Sequence, residues 1–97
     1  MMKVSFHPAA RRELLKHGKW YEKRSPSAAT GFEREIDHAI DRIAEAPERY
    51  PLTSRGRRRF VLLDYPFNVI YRVLEEEIEI IAIAHHSRRP EYWIRRS

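Results

Sequence analysis

A chain of 97 residues with 42% hydrophobic content and only three glycines has material for one folded domain and too much apolar content for disorder. It contains no cysteine, which excludes disulfides and thiolate zinc sites, and no stretch approaches the roughly 18 apolar residues that cross a bilayer. A single domain over residues 1–97, soluble and cytoplasmic, is therefore expected, and its formal net charge of +5 points to an acidic partner.

At the N-terminus, Lys3 to His7 alternates polar and apolar residues over the length of a short strand, and Pro8 ends it. Pro8 also suits the first position of a helix, where its missing N–H is no loss. Ala10, Leu14, His17 and Tyr21 then fall on one helical stripe, with Leu15 and Trp20 beside them and Arg11, Arg12, Glu13, Lys16, Lys19 and Lys23 on the other faces. This predicts a helix over 8–23 with Trp20 and Tyr21 in the core, and Gly18 as a place where it bends or stops.

Ser25-Pro26 supplies an N-cap followed by proline, which starts a second helix. Ala29, Phe32, Ile36, Ala39, Ile40 and Ile43 repeat at helical spacing until Pro47 ends it. A helical hairpin over residues 8–46 results. Pro47, Pro51 and Gly56 mark a loop.

Three strand-like runs follow, Arg58 to Leu63, Phe67 to Leu74 and Ile78 to His85, with connections short enough to force antiparallel neighbours. In the middle run Phe67, Val69, Tyr71 and Val73 share one face, and Asn68, Ile70, Arg72 and Leu74 the other. The last run reads as a central strand, with Ile78, Ile80, Ala82 and Ala84 opposite Ile81 and Ile83. One sheet face should take the hairpin, and the other is left for solvent or a partner.

Chemistry concentrates in arginine. Fifteen of the nineteen basic residues are Arg, whose planar fork suits phosphate and carboxylate, although genomic base composition explains such usage equally well. Arg57, Arg58 and Arg59 open one strand, while Arg88, Arg89, Arg95 and Arg96 crowd the C-terminus. If the first and last of the three strands approach each other, these clusters form one basic surface for nucleic acid or a protein partner; otherwise they are a solvated loop and tail. Arg72 stands apart, projecting from mid-strand.

His85 and His86 are adjacent on a strand and point to opposite faces, so they cannot chelate a metal from one side. No metal and no cofactor is expected, and the glycines form no phosphate-binding loop. Metal-free RNA cleavage needs a base for the 2′-OH, an acid for the leaving oxygen and cations for the phosphorane; Arg72, His86, Arg88 and Tyr92 supply those chemical types. The same residues have bland readings, with one His packed on the helices and Tyr92 and Trp93 as core plugs.

Four stretches in order, Val4-Ser5-Phe6-His7-Pro8-Ala9-Ala10-Arg11-Arg12-Glu13-Leu14, Pro47-x-x-Tyr50-Pro51, Tyr65-Pro66-Phe67-Asn68-Val69-Ile70-Tyr71-Arg72-Val73 and His85-x-x-Arg88-Arg89-Pro90-x-Tyr92-Trp93, resemble the RelE/ParE superfamily of bacterial toxins. The resemblance covers nearly the whole chain. It implies an α+β fold with a short N-terminal strand, a helical hairpin and a small, mainly antiparallel sheet of three or four strands. It also implies a cognate antitoxin whose flexible segment wraps the toxin, in a setting of plasmid maintenance or stress-linked growth arrest.

The superfamily divides by activity. Its ribosome-dependent mRNA endonucleases carry basic residues along the second and third sheet strands and further basic or Tyr residues near the C-terminus. Arg59, Arg88 and Tyr92 match such places, but Asn68 and Val61 stand where that branch tends to have Arg and Lys. The departure favours the ParE branch, known for inhibiting DNA gyrase. A non-toxic basic nucleic-acid-binding domain is a third reading, weakened because only Phe60 interleaves an aromatic with the Arg clusters.

Overall fold

The computed structural model describes residues 2–96. Strand β1 (Lys3–Phe6) leads through His7 into helix α1 (Pro8–Arg24), and helix α2 (Pro26–Glu45) follows. Strands β2 (Arg58–Val61), β3 (Phe67–Val73) and β4 (Glu77–His85) complete a four-stranded sheet in the order β1-β4-β3-β2. β1 lies parallel to β4, and the other pairings are antiparallel.

The helix boundaries follow their caps. His7 Nδ1 accepts the Ala9 N–H at 3.0 Å, and Pro8 occupies the first helical position. α1 continues through Gly18, where an added Cβ would meet open space. Ser25 belongs to both helices: its backbone N–H donates to Tyr21 O at 2.8 Å to close α1, and its Oγ accepts the Ala28 N–H at 3.3 Å to open α2. The hairpin therefore turns on one extended residue.

The core between hairpin and sheet joins Ala10, Phe32, Ile36, Ala39 and Ile43 to Phe67, Val69, Tyr71, Ile78, Ile80 and Ile83. Burying the Val, Ile and Phe side chains among them contributes about 1.5–3 kcal/mol each. Tyr21 packs edge-on against Tyr65, with ring centroids 5.2 Å apart. Trp20, expected in this core, is instead 50% exposed and lies under the Arg24 guanidinium at 3.7 Å. It flanks the apolar stripe, and a cation over its ring compensates for the exposure.

Two further expectations are corrected. β2 stops at Val61, short of Leu63, because Glu35 on α2 accepts the N–H groups of Leu63 and Asp64 and turns the chain. In β4 a register shift places Ile70 opposite Ala82 but Tyr71 opposite Ile80, so Ile81 is an extra residue. Ile78, Ile80 and Ile83 thus face the helices, whereas Ile81, Ala82 and Ala84 face away.

That second face is not left to solvent. The chain after His85 returns as a series of turns, Tyr92 N–H to Arg89 O, Ile94 N–H to Glu91 O and Arg96 N–H to Trp93 O. They lay Trp93, 4% exposed, on Ile70, Ile81, Ala82 and Ala84, with Tyr92 and Ile94 beside it. Tyr92 and Trp93 are core plugs, and they make the domain three-layered.

Candidate functional site

Beyond Phe6, β1 no longer covers the edge of β4. His7 N–H still reaches Ile80 O at 2.8 Å, but the next backbone groups on that edge have no strand to meet. Side chains replace it. Glu13 Oε1 accepts the Ile83 N–H at 3.0 Å, and Arg96 Nη1 donates to Ile81 O at 3.1 Å. The two residues then clasp each other, Arg96 Nη1 to Glu13 Oε1 at 2.9 Å and Nη2 to Oε2 at 2.8 Å, a bidentate pair.

Tyr92 closes this network, its hydroxyl donating to Glu13 Oε2 at 2.7 Å. Burial alone would raise the Glu13 pKa, yet the hydrogen bonds from Arg96, Tyr92 and the Ile83 N–H outweigh it and hold the carboxyl below its ordinary value. Burial, then the bond to ionised Glu13, pushes the Tyr92 phenol upward. Its proton is thus held firmly on an oxygen already engaged. Glu13 had read as a surface residue; its offset of three from Ala10 and four from His17, on the edge of the buried stripe, was the available signal.

A cleft of about 390 Å³ lies across the outer face of β3 and β4, between Arg59 on one side and the turns Arg88 to Trp93 on the other. Its base is Ile70, Ala84 and Trp93, and its rim includes Arg59, Asn68, His86, Arg88 and Arg89. Arg88 is ordered by its guanidinium lying 3.8 Å over the Tyr92 ring. His86 Nε2 sits 3.1 Å from Asn68 Oδ1. Its neighbour His85 points the other way, its ring 5.0 Å from Phe67 on the helix side, as strand alternation requires.

The arginine clusters do approach, although β3 separates β2 from β4. They are not equivalent. Arg57 donates to Arg55 O and Arg96 O, and Arg58 to Glu48 O and Tyr50 O, so both brace loops. Arg59, Arg88 and Arg89 are exposed on the cleft. Arg72 is absent from it: its Nε pairs with Glu79 Oε1 at 2.8 Å, five residues along β3 from the end that pairs with His85, or roughly 17 Å away. Of Arg72, His86, Arg88 and Tyr92, the structure brings three together and leaves Arg72 at the far end of the sheet.

Val61 and Asn68, the two departures from the endonuclease pattern, are direct cross-strand partners. Where two cations would face each other in that pattern, this sheet presents an isopropyl group and an amide. Among the described residues no group of three metal-ligating side chains occurs, and no helix is long and apolar enough to cross a membrane.

The family model for the ParE toxin of the type II toxin–antitoxin system parDE matches residues 4–90. The chain belongs to this ParE toxin family. Its fold agrees with a solved structure described as a chromosomal ParDE TA system from P. aeruginosa, with a TM-score of 0.76 at 22% identity, over 88% of this chain and 96% of that one. At such identity the likeness concerns the fold alone. Comparison with curated protein sequences yields no significant match. As a ParE toxin, the chain carries its cleft on the side of the sheet opposite the helical hairpin.

Proposed function

We propose that this ParE-family chain arrests bacterial growth by binding and inhibiting DNA gyrase, and that a cognate antitoxin neutralises it. The setting is a type II toxin–antitoxin pair that stabilises a plasmid or slows growth under stress. The observation that carries the choice of target is the dispersal of the nuclease inventory. Metal-free cleavage needs an acid, a base and cations around one phosphate. Here the Tyr92 hydroxyl donates to Glu13, Arg72 is paired with Glu79 away from the cleft, and Asn68 and Val61 replace basic groups. His86 and Arg88 remain, which is an incomplete set.

An acidic, flexible antitoxin suits an Arg-rich surface, since such segments cover large areas as they fold. The deciding experiment pairs two assays on purified protein. Gyrase supercoiling should be inhibited, and primer extension on translated mRNA should show no cuts. Codon-dependent cuts that disappear with His86→Ala would instead establish the ribosome-dependent endonuclease.

A further inference from the structure

We propose that the outer face of α1, on the hairpin and away from the cleft, is a docking surface for the phosphate backbone of duplex DNA, with Arg12, Lys16, Lys19 and Lys23 as its contacts. These four are exposed and fall at intervals of four, three and four, so they form one line along the helix, opposite the side where Ala10, Leu14 and Tyr21 meet the core. At 1.5 Å per residue the line is about 17 Å long. The two ion pairs among the described residues, Arg72 with Glu79 and Arg96 with Glu13, include none of the four. Glu22 is the one exposed carboxylate of α1, whereas on α2 the exposed Glu33, Asp37 and Asp41 are interspersed with Arg34 and Arg42. Within the hairpin, the face of a single sign belongs to α1.

The choice of side chain is a second indication. A base composition that favours Arg thins lysine throughout a chain, yet Lys16, Lys19 and Lys23, three of the four lysines, gather on this line. Lysine is a point charge on a flexible stem, able to follow a run of phosphates without a fixed fork geometry and without reading bases. The arrangement also selects among acidic partners. A membrane surface or a protein partner takes apolar side chains at the middle of the contact. Here cations hold the crest of the helix, and Leu15 and Trp20, 56% and 50% exposed, lie roughly 70° to either side of it. A straight, rigid row of charges matches a straight, rigid row of phosphates, about five along one strand of a duplex. The choice of DNA over RNA rests on the gyrase reading above, under which the toxin acts on an enzyme that holds duplex DNA.

The test uses the intact toxin without gyrase, apart from the inhibition assay. Fluorescence anisotropy with a labelled DNA duplex of about two helical turns should show binding. The triple variant Lys16→Gln, Lys19→Gln, Lys23→Gln should lose affinity about tenfold or more, with a salt dependence shallower by about three units. Arg34→Gln, Arg42→Gln, Arg49→Gln removes the same charge from exposed positions off the line and should change affinity less than about threefold. In heteronuclear NMR of indole-labelled protein, the duplex should move the resonance of Trp20, one helical turn from Lys16 and Lys23, and leave that of Trp93, buried on the far side of the sheet, in place. Equal losses in the two triple variants, or a shift of Trp93 without Trp20, would overturn the surface. Tighter binding of duplex RNA, of poly-glutamate or of anionic lipid vesicles would overturn it as well. DNA binding through α1 with supercoiling left intact would keep the surface and refute the gyrase target; inhibition by a toxin that binds no duplex would do the reverse.

Discussion

Arg96 grips Glu13 through both terminal nitrogens, at 2.8 and 2.9 Å, and the pair together completes the hydrogen bonding of β4 where β1 has ended. Removing the carboxylate leaves a guanidinium, a phenol and a backbone N–H without their acceptor. Glu13→Ala should therefore lower stability by about 2–3 kcal/mol, whereas Arg12→Ala, one position away and exposed, should change it by less than about 0.5 kcal/mol. Urea denaturation of the two variants checks the contrast.

Tyr92→Phe separates structure from chemistry. It deletes one hydroxyl and keeps the ring beneath Arg88, so it should cost about 1 kcal/mol. Growth arrest on induction should persist. Complete loss of toxicity, with folding verified by circular dichroism, would give the hydroxyl a part in catalysis.

Acid should act in two stages. Burial, the largest influence on His17, lowers its pKa from the ordinary 6.5. Below that value the unfolded chain takes up a proton that the folded chain does not, and stability starts to fall. Glu13 is likewise held below its ordinary 4.5, so its contribution is full above that value and is lost as pH falls through the lower folded value. Melting temperature against pH should show both declines, and His17→Phe should abolish the upper one while preserving the tilted ring contact with Phe67, now 4.5 Å from the His17 ring.

Gly31 lets α2 approach the connection between β2 and β3. A Cβ there would collide with the Tyr65 hydroxyl, which donates to Ala28 O at 2.8 Å. Gly31→Ala should destabilise by about 1–2 kcal/mol despite its better helix propensity. Adding Tyr65→Phe removes the colliding oxygen and should recover most of the loss, a non-additivity measurable by a double-mutant cycle.

The hairpin was legible because its punctuation is local: Pro8, Ser25-Pro26 and Pro47 mark ends whose caps involve residues two to four positions away. The family resemblance was legible for the same reason, in short stretches kept in order. What escaped depends on distant partners. The end of β2 is set by Glu35, the bulge at Ile81 is invisible in a run of apolar residues, and the cover of the second face comes from turns whose residues carry no strand or helix period. The cleft was legible as two arginine clusters, but not that, of these arginines, Arg59, Arg88 and Arg89 alone are exposed on it, because the carbonyls that engage Arg57 and Arg58 come from separate segments.

Ser25 closes one helix and opens the next, which leaves the hairpin no slack. Each residue of an α-helix advances its direction by about 100°. Elsewhere on the surface an added residue is absorbed by a loop, but one inserted within α2 ahead of Phe32 would turn Phe32, Ile36 and Ile43 away from the sheet together. Length variation among related chains should thus collect in the segment after Pro47 and stay out of the first 45 positions, where one residue acts as the hinge pin of half the molecule.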